Sequence, residues 1–326
     1  MAIDISIIIV NWNTRNVVSN CLRAIREAAS DISKEIIVVD NASSDDSVVR
    51  IKSDFPEVAV IENKSNKGFA AANNQGYNTS RGKFILFLNS DTIVQRGSLQ
   101  SMVSLLENHH DAGLCSCRLL NSDGSIQPNV RHFPSFRAML FRYTFFKYLG
   151  LFKADRAFYR MRRFPYNEIS QVDQVTGAVM MAKRSLLEKI GCMDEKLFMY
   201  FEETDLCYRI KEAGAAVYFT PDGEITHLGR ASSDKVDSYK VQAIFFKSLF
   251  YYFRKHKGKA RTFFFACVFK PGLFIYLTCE IFTGLLLGAV GWGLKLDSHK
   301  VSRRFERARE SALFLIRYGV SFLLLS

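Results

Sequence analysis

The chain of 326 residues is long enough for about two domains, and its hydrophobic share of 48% against a charged share of 23% excludes a disordered chain, a collagen and a small disulfide-stabilised peptide. Its net charge of +12 suggests a nucleic acid, an anionic membrane surface or a phosphorylated substrate as partner. The seven cysteines contain no CxxC pair, which gives no common zinc spacing and favours reduced thiols in a cytosolic compartment.

Apolar strands alternate with helices through the first 120 residues. The run at 4–10 has no basic segment before it, so it predicts a buried strand rather than a signal peptide. Further strands are predicted at 35–40, 58–62, 83–88 and 113–119, with helices at 17–29, 44–53, 68–79 and 97–108. This alternation is typical of a mostly parallel α/β sheet, whose strands end at one edge where ligands bind.

Residues 164–230 predict a return to the same α/β domain, with a strand at 171–183, a helix at 204–214 and a strand at 216–220. The composition changes near residue 131 and again near 239. We therefore expect an α/β domain at 1–236, which contains a basic, aromatic insertion at 136–163, and a helical region at 237–326.

Polar residues follow four of the predicted strands, namely Asn11, Asp40, Asn63 and Asn89 to Asp91. No GxGxxG follows the first strand and no GxxxxGK[ST] occurs, which argues against a dinucleotide site and a P-loop. Asp40 can accept the imide N–H of a uracil or thymine ring, or it can cap the next helix. Asp91 offers an oxygen ligand for Mg²⁺ or Mn²⁺ on a diphosphate, and His227 is either a second ligand or a structural histidine.

Three acids, Glu202, Glu203 and Asp205, open a predicted helix directly after the apolar residues MYF. Acids at a helix N-terminus are expected from the helix dipole alone, so capping is one interpretation. The apolar residues ahead of them would desolvate a carboxylate and raise its pKa, which suits a general base.

The positive charge lies in the second part of the chain. Residues 1–130 carry 12 Lys and Arg against 14 Asp and Glu, whereas residues 131–326 carry 32 against 18. Within 136–163 and 239–261 the cations alternate with Phe and Tyr, as in a helix at a lipid interface. The stretch 273–294 follows with Glu280 as its single charge, and it approaches the length of a membrane-spanning helix. These segments favour a membrane surface over nucleic acid, although buried core helices would show the same pattern.

The motifs VNWNT, IIVVDNASSDDS, NKGFAAANNQGY, FILFLNSDT, VTGAVMMAKRSLLEKIG, FMYFEETDLCYRIKEAG and ITHLGRAS occur in this order over residues 1–235. Together they resemble the family-2 glycosyltransferases, and within that family the bacterial rhamnosyltransferase-type members. The resemblance implies a GT-A fold, with a Rossmann-like sheet, and an inverting, metal-dependent transferase. Membrane attachment is common among such relatives, which act on lipid-linked acceptors.

The resemblance also implies roles for individual residues. It assigns the nucleotide and its phosphates to Val10, Asn11, Asn13, Asp40, Lys67, Gly68 and Asn89. It assigns the metal, Mn²⁺ or Mg²⁺, to Asp91 and His227, and the donor or acceptor pocket to Gly177, Ala178 and Asp205. Glu203 takes the place of the catalytic base, Glu202 orients the acceptor or the base, and Asp205 is the next candidate for the base. The family commonly has two acids in the DxD motif and Asp as the base, where this chain has Asn89 and Glu203.

The expected reaction is a single displacement that moves a sugar from a pyrimidine-nucleotide-diphosphate donor to a hydroxyl of a glycan or polyprenyl-linked acceptor. The first choice of donor is dTDP-L-rhamnose, and a UDP-hexose or UDP-N-acetylhexosamine is the alternative. A membrane-surface scaffold with a degenerate fold is the non-enzyme alternative, and no nucleic-acid partner is expected. The expected location is the cytoplasmic face of the bacterial inner membrane, with peripheral or single-span attachment.

Overall fold

The computed structural model describes residues 3–29, 32–229, 237–294 and 298–324. These residues fall into two compact units, one within 1–133 and 161–233, the other within 134–160 and 234–326. The sequence analysis placed 136–163 as an insertion of the first domain, whereas the contacts join most of it to the C-terminal helices. The domain boundaries at 236 and 237 stay a prediction.

The elements follow one another along the described chain as β1 (Ile5–Asn11), α1 (Arg15–Ala28), β2 (Lys34–Asp40), α2 (Ser47–Asp54), β3 (Ala59–Glu62), α3 (Phe69–Thr79), β4 (Phe84–Asn89), β5 (Thr92–Val94), α4 (Ser98–Asn108), β6 (Ala112–Leu120), β7 (Ile126–Gln127) and β8 (Val130–Arg131). After these come α5 (Phe136–Tyr143), α6 (Lys153–Tyr159), β9 (Ser170–Val172), β10 (Gln174–Val175), β11 (Val179–Lys183), α7 (Arg184–Ile190), α8 (Glu202–Glu212), β12 (Ala216–His227), α9 (Ser238–Lys257), α10 (Lys259–Leu294) and α11 (Ser298–Leu324).

The first unit is built on a mixed sheet with the strand order β3-β2-β1-β4-β11-β6-β12-β5. Strands β1 to β4 pair in parallel, as does β12 with β6, whereas β11 runs antiparallel to both of its neighbours. The predicted α/β class with a mostly parallel central sheet is confirmed. The pairing register sets Asn11 beside Asp40 and Val10 beside Asn89, so the ends of three strands meet at one edge.

The single strand predicted at 171–183 is wrong. The chain forms three short strands there, each with a different partner. Strand β9 pairs with β12, β10 pairs with β8 in a separate two-stranded sheet, and β11 pairs within the main sheet. The strand predicted at 216–220 is too short, since β12 continues to His227 past a bulge between Thr220 and Glu224. This extension carries His227 to the edge where β4 ends.

Both faces of the central strands are buried, as their β-branched and aromatic residues predict. Ile5, Ile7 and Ile9 face a core that includes Val18 and Leu22 of α1. Alternate residues of the same sheet face a second core, in which Ile8, Ile85, Phe87, Met180 and Leu206 lie. The period of two along each strand therefore fixes which side chains are available at the strand ends.

The second unit consists of α5, α6 and the three helices α9 to α11. Its interior is aromatic: Phe136 stacks on Phe265 at 4.7 Å between ring centroids, and Phe246 meets Phe269 edge-on at 5.5 Å. The apolar stretch predicted at 273–294 is the second part of the 36-residue helix α10. Within the described residues, 259–287 is the one segment long and apolar enough to cross a membrane, and 44% of its most apolar window is buried.

Candidate active site at the strand ends

The carboxylate of Asp40 holds together the ends of β1 and β2. Its Oδ1 accepts hydrogen bonds from Asn11 Nδ2 at 2.7 Å and from Ser43 Oγ at 2.6 Å, and its Oδ2 accepts one from Ser43 N at 2.9 Å. Asp40 is 3% exposed. The position N-terminal to α2 is filled by Asp46, so Asp40 is not the cap of that helix.

Asn13 connects the same two strand ends from the opposite side. Its backbone φ of 54° is left-handed, which asparagine tolerates better than most residues. Its side-chain Oδ1 accepts hydrogen bonds from Ser44 N at 2.7 Å and from Asp45 N at 3.3 Å. The predicted nucleotide residues Asn11, Asn13 and Asp40 therefore lie in one hydrogen-bonded cluster, to which sequence reasoning did not assign Ser43.

The loop that carries Lys67 and Gly68 is attached to the end of β2 through Asn41. Asn41 Nδ2 donates to Gly68 O at 3.1 Å, and Asn41 Oδ1 accepts from Lys67 N at 3.2 Å. Gly68 has a φ of +86°, and a Cβ there would lie 2.4 Å from the carbonyl oxygen of Phe198. Glycine is thus required both by the backbone conformation and by the close approach of another chain segment.

Asp91 and His227 lie side by side where β4 ends and β12 ends. His227 Nε2 is 3.2 Å from Asp91 Oδ1 and 3.4 Å from Asn89 Nδ2. The other ring nitrogen, Nδ1, is 2.7 Å from Oε1 of Gln127, a residue of the two-residue strand β7 that sequence reasoning missed. The sequence does place His227 and Asp91 near strand ends, and the structure brings these two predicted ligands together.

The hydrogen-bond partners of Gln127 determine which nitrogen of His227 carries the proton. Gln127 Nε2 donates to the side-chain carbonyl oxygen of Asn121 at 2.9 Å and to the backbone carbonyl oxygen of His227 at 3.1 Å, so its Oε1 faces Nδ1 as an acceptor. In neutral His227 the proton is therefore on Nδ1, and the lone pair of Nε2 points towards Asp91. Two acceptors that face each other at 3.2 Å fit a shared cation, since oxygen and imidazole ligands lie about 2.0–2.2 Å from Mg²⁺ or Zn²⁺-sized ions.

The donor set of Asp91 and His227 is incomplete as a metal site on its own. Among the described residues, no group of three or more His, Cys, Asp and Glu side chains could hold an ion. A cation at Asp91 and His227 would need further oxygen ligands, which the phosphates of a nucleotide can supply. The residues present therefore fit a divalent metal that binds together with its substrate.

Glu202 and Glu203 begin α8 after two strained residues. Tyr200 and Phe201 have φ values of 70° and 71°, a region that bulky side chains rarely adopt. Burial raises the pKa of Glu202 well above its usual value, and the neighbouring Glu203 carboxylate adds to the shift. Burial also raises the pKa of Glu203, against the opposing effects of its backbone hydrogen bonds and Arg131. In the described residues Glu202 Oε2 is buried and has no hydrogen-bond partner.

The predicted pocket residues Gly177 and Ala178 link the base to the end of β4. A Cβ on Gly177 would lie 3.7 Å from Glu203 Cβ, so this glycine leaves room beside the glutamate. The carbonyl oxygen of Ala178 accepts a hydrogen bond from Asn89 N at 2.9 Å. Glu203, Gly177, Ala178 and Asn89 thus form a continuous stretch of the site.

Asp205 lies in the first turn of α8. Its side chain is fully buried and forms an ion pair with Arg209 at 2.8 Å, one helical turn later. The same guanidinium donates to the carbonyl oxygens of Ile190, Gly191 and Cys192. The ion pair thus ties α8 to the residues at and after the end of α7, and the donor or acceptor pocket role of Asp205 stays a prediction. The i, i+4 spacing of Asp205 and Arg209 was a readable signal for that ion pair.

Comparison with known proteins identifies the family to which this chain is similar. The profile described as Glycosyl transferase family 2 matches residues 6–189. The low-salt glycan biosynthesis hexosyltransferase Agl10 of Haloferax volcanii is 29% identical over 64% of this chain and 62% of its own length. An N-acetylglucosaminyl-diphospho-decaprenol L-rhamnosyltransferase of Mycobacterium tuberculosis is 25% identical over 59% of this chain and 66% of its own. The matches thus span somewhat less than two thirds of these relatives.

Solved structures of related shape include two complexes with nucleotide or nucleotide sugar. The mannosyltransferase PcManGT from Pyrobaculum calidifontis, in complex with GDP-Man and Mn²⁺, has a TM-score of 0.54 at 17% identity and covers 97% of this chain and 88% of its own. GalNAc-T7 with UDP, GalNAc and Mn²⁺ has a TM-score of 0.54 at 16% identity and covers 70% of this chain and 43% of its own. The likeness shows the fold, and the predicted GT-A fold is confirmed.

Proposed function

Because the chain belongs to glycosyl transferase family 2, we propose that it transfers a sugar from a pyrimidine-nucleotide-diphosphate donor to a hydroxyl of a glycan or lipid-linked glycan, with inversion. The observation that supports this proposal is the placement of two carboxylates near the end of β4. Asp91 lies 3.2 Å from His227 there, and Glu203 of α8, whose pKa burial raises, lies beside Gly177 in the connection before β11. A charge-neutralising site and a base are the two groups that a single displacement needs.

In the proposed reaction Glu203 removes the proton from the acceptor hydroxyl as that oxygen attacks the anomeric carbon. Glu202 orients the base or the acceptor, and burial together with the Glu203 carboxylate raises the pKa of Glu202. Asn11, Asn13 and Asp40 hold the nucleotide together with Lys67 and Gly68. A divalent cation on Asp91 and His227, Mn²⁺ or Mg²⁺, would neutralise the charge that develops on the leaving diphosphate.

The first choice of donor is dTDP-L-rhamnose. Relatives named as rhamnosyltransferases support it, including WbbL of Escherichia coli at 26% identity over 46% of this chain. The alternative is a UDP-hexose or UDP-N-acetylhexosamine, which the hexosyltransferase name of the Haloferax relative favours. Asp40 does not separate these donors, because thymine and uracil present the same N–H edge.

We also propose that the second unit attaches the enzyme to the cytoplasmic face of a bacterial inner membrane. Phe263 and Phe264 of α10 are 60% and 71% exposed, and they lie close in sequence to the cations at the end of α9. Exposed rings beside cations suit the head-group region of an anionic bilayer. A lipid-linked acceptor would be reached from that surface.

The test of the activity uses the full-length protein with dTDP-L-rhamnose, UDP-glucose and UDP-N-acetylglucosamine, each with Mn²⁺ and with excess EDTA. We expect donor-dependent protection in a thermal-shift assay, and donor hydrolysis or transfer that needs the metal. Full activity in EDTA would overturn the role of Asp91 and His227 as metal ligands. No binding of any of the donors, with or without metal, would overturn the proposed function.

The test of membrane attachment uses vesicles of phosphatidylglycerol and phosphatidylcholine. Wild-type protein should co-sediment with the anionic vesicles and less so in high salt, since each Lys or Arg near such a surface contributes about 1 kcal/mol. The variant F263S/F264S should bind less, whereas the control V49S, at a residue 71% exposed in the first unit, should bind like the wild type. Equal binding of both variants would contradict the assignment.

A further inference from the structure

Behind Glu203 two buried polar side chains form a short chain of hydrogen bonds. Thr204 Oγ1 lies 2.5 Å from Gln174 Oε1 and 3.2 Å from Glu203 Oε1. Gln174 Nε2 lies 2.6 Å from the carbonyl oxygen of His132. Thr204 and Gln174 are each 3% exposed, so bulk water is largely excluded from both groups. None of the assignments made from the sequence uses Thr204 or Gln174.

The carbonyl of His132 fixes the direction of this chain. A carbonyl oxygen only accepts hydrogen bonds, so the amide atom of Gln174 that faces it at 2.6 Å must be the NH₂ donor. The other amide atom, Oε1, then faces Thr204 and only accepts. A threonine hydroxyl has one proton, and the contact of 2.5 Å directs that proton towards Gln174 rather than towards Glu203 at 3.2 Å.

The hydroxyl oxygen of Thr204 is therefore left with lone pairs on the side of Glu203. A lone pair repels an ionised carboxylate oxygen at this distance but accepts a hydrogen bond from a protonated one. We infer that Thr204, oriented by Gln174, is a positioning residue that accepts a hydrogen bond from the protonated form of Glu203. This inference rests on the proposed function, in which Glu203 becomes protonated by the acceptor hydroxyl.

The chain would make Glu203 a better proton acceptor than burial alone does. Of the titratable and charged groups that face Glu203, some raise its pKa and others lower it. Glu202 on the same helix disfavours a second negative charge, and Cys207 lies one turn away. Arg131 of β8 and the backbone N–H groups of Glu203 and Thr204 favour the ionised form of Glu203, as the Thr204 hydroxyl also would if its proton pointed to Glu203 Oε1 at 3.2 Å and not to Gln174. Thr204 and Gln174 add a contact that exists only when the proton is on Glu203, which is the state that follows proton transfer.

The test is the pH dependence of kcat for Thr204→Val, with Thr204→Ser as the matched control that keeps the hydroxyl. We expect Thr204→Val to lower the apparent pKa of the acidic limb by about half to one pH unit, since the protonated carboxyl loses one neutral hydrogen bond. Thr204→Ser should leave it unchanged. If Thr204 instead donates to ionised Glu203, Thr204→Val raises this pKa, and a raised or unchanged value overturns the inference.

A second measurement does not depend on turnover. The carboxyl C=O band of Glu203 is followed by infrared titration in the Glu202→Gln background, as the difference from the variant that also carries Glu203→Gln. Gln174→Met should lower this titration midpoint as Thr204→Val does, because the hydroxyl proton becomes available to the carboxylate. Near-normal turnover of Glu203→Gln would refute the base itself. Loss of turnover in Glu203→Gln together with the wrong sign for Thr204→Val would refute only the role of Thr204.

Discussion

The buried carboxylates at the end of β2 and at the start of α8 differ in their hydrogen-bond partners. At the end of β2, Asp40 accepts three hydrogen bonds within 2.9 Å from its own neighbours. At the start of α8, Glu202 is as deeply buried, at 5% exposure, but its Oε2 has no hydrogen-bond partner among the described residues. One carboxylate is satisfied by the fold and the other is not.

Asp40 therefore stabilises the fold through its hydrogen bonds, whereas burial of the glutamate pair lowers the stability of the folded protein when the pair is ionised. A buried carboxylate that lacks hydrogen-bond donors is held closer to its neutral form. The glutamate pair then destabilises the protein at neutral pH, while Asp40 organises the loop at 41–45 without a ligand. Each variant below changes one side of this contrast.

The largest effect is expected for Glu203→Gln. The amide keeps the size of the side chain but cannot take a proton, so turnover should fall by about 10²–10⁴-fold. Nucleotide affinity by calorimetry should remain near the wild-type value, because the glutamate faces the acceptor. Steady-state kinetics and calorimetry on the same preparation check both statements.

Glu202→Gln is the matched control for that variant. It removes the other carboxylate of the pair, and we expect a smaller loss of turnover because this residue orients rather than reacts. A larger loss in Glu202→Gln than in Glu203→Gln would move the base to Glu202. If neither variant lost turnover, Asp205, which forms a buried ion pair with Arg209, would be the next candidate for the base.

Asp40→Ala tests the satisfied side of the comparison. Each lost hydrogen bond to the charged carboxylate is worth about 1.5–3 kcal/mol. Nucleotide affinity should therefore decrease by roughly 10–150-fold, and the free energy of unfolding should decrease as well. Denaturant unfolding and calorimetry separate the two. Asp123→Ala is the control, since that exposed carboxylate accepts the same pair of bonds from Ser125 but in solvent. Unchanged nucleotide affinity in Asp40→Ala would leave Asp40 with a structural role alone.

Gly68→Ala should disturb the contact between the loop at 63–68 and the residues before α8. A Cβ there meets the Phe198 carbonyl at 2.4 Å, whereas a Cβ on Gly124, with a similar φ of +81°, meets nothing within 4 Å. Gly124→Ala should therefore lower the free energy of unfolding only by the cost of a left-handed backbone, about 1–2 kcal/mol. Gly68→Ala should lower it by about 1–3 kcal/mol more, because of the steric overlap. If thermal unfolding showed the same loss of stability for both variants, the loop at 63–68 would have moved to accommodate the Cβ without strain.

The glutamate pair also predicts how stability changes with pH. The folded state holds a proton on the pair above pH 4.5, where an unfolded glutamate has lost it, because burial raises both pKa values. The free energy of unfolding should therefore fall as pH rises from about 4.5 to the raised pKa, by about 1.4 kcal/mol per pH unit for each proton that only the folded state holds. The double variant E202Q/E203Q should lack this fall. A stability curve with the same slope in both proteins would contradict the raised pKa values.

Sequence reasoning placed Asp91 and His227 at strand ends because apolar runs followed by polar residues mark the edge of a parallel sheet, and their role as metal ligands stays a prediction. It missed Gln127, since a two-residue strand has no hydrophobic period to detect. It missed Gln174 for a related reason: the apolar run at 171–183 looks continuous, although the chain leaves one sheet and enters another there. It did not foresee the ion pair of Asp205 with Arg209, because an acid at a helix start looks alike whether it faces a pocket or an arginine one turn later.

The turn at Tyr200 and Phe201 has a consequence for anyone who engineers this chain for heat resistance. Glycine relaxes a left-handed backbone, so replacement of Phe201, which has a φ of 71°, relieves strain of about 1–3 kcal/mol. Phe201 is 5% exposed, however, and loss of a buried phenylalanine side chain costs about 3–5 kcal/mol. Because Phe201 directly precedes the glutamates, glycine here would also admit water to them, so the variant would lose heat resistance together with the raised pKa values of the pair.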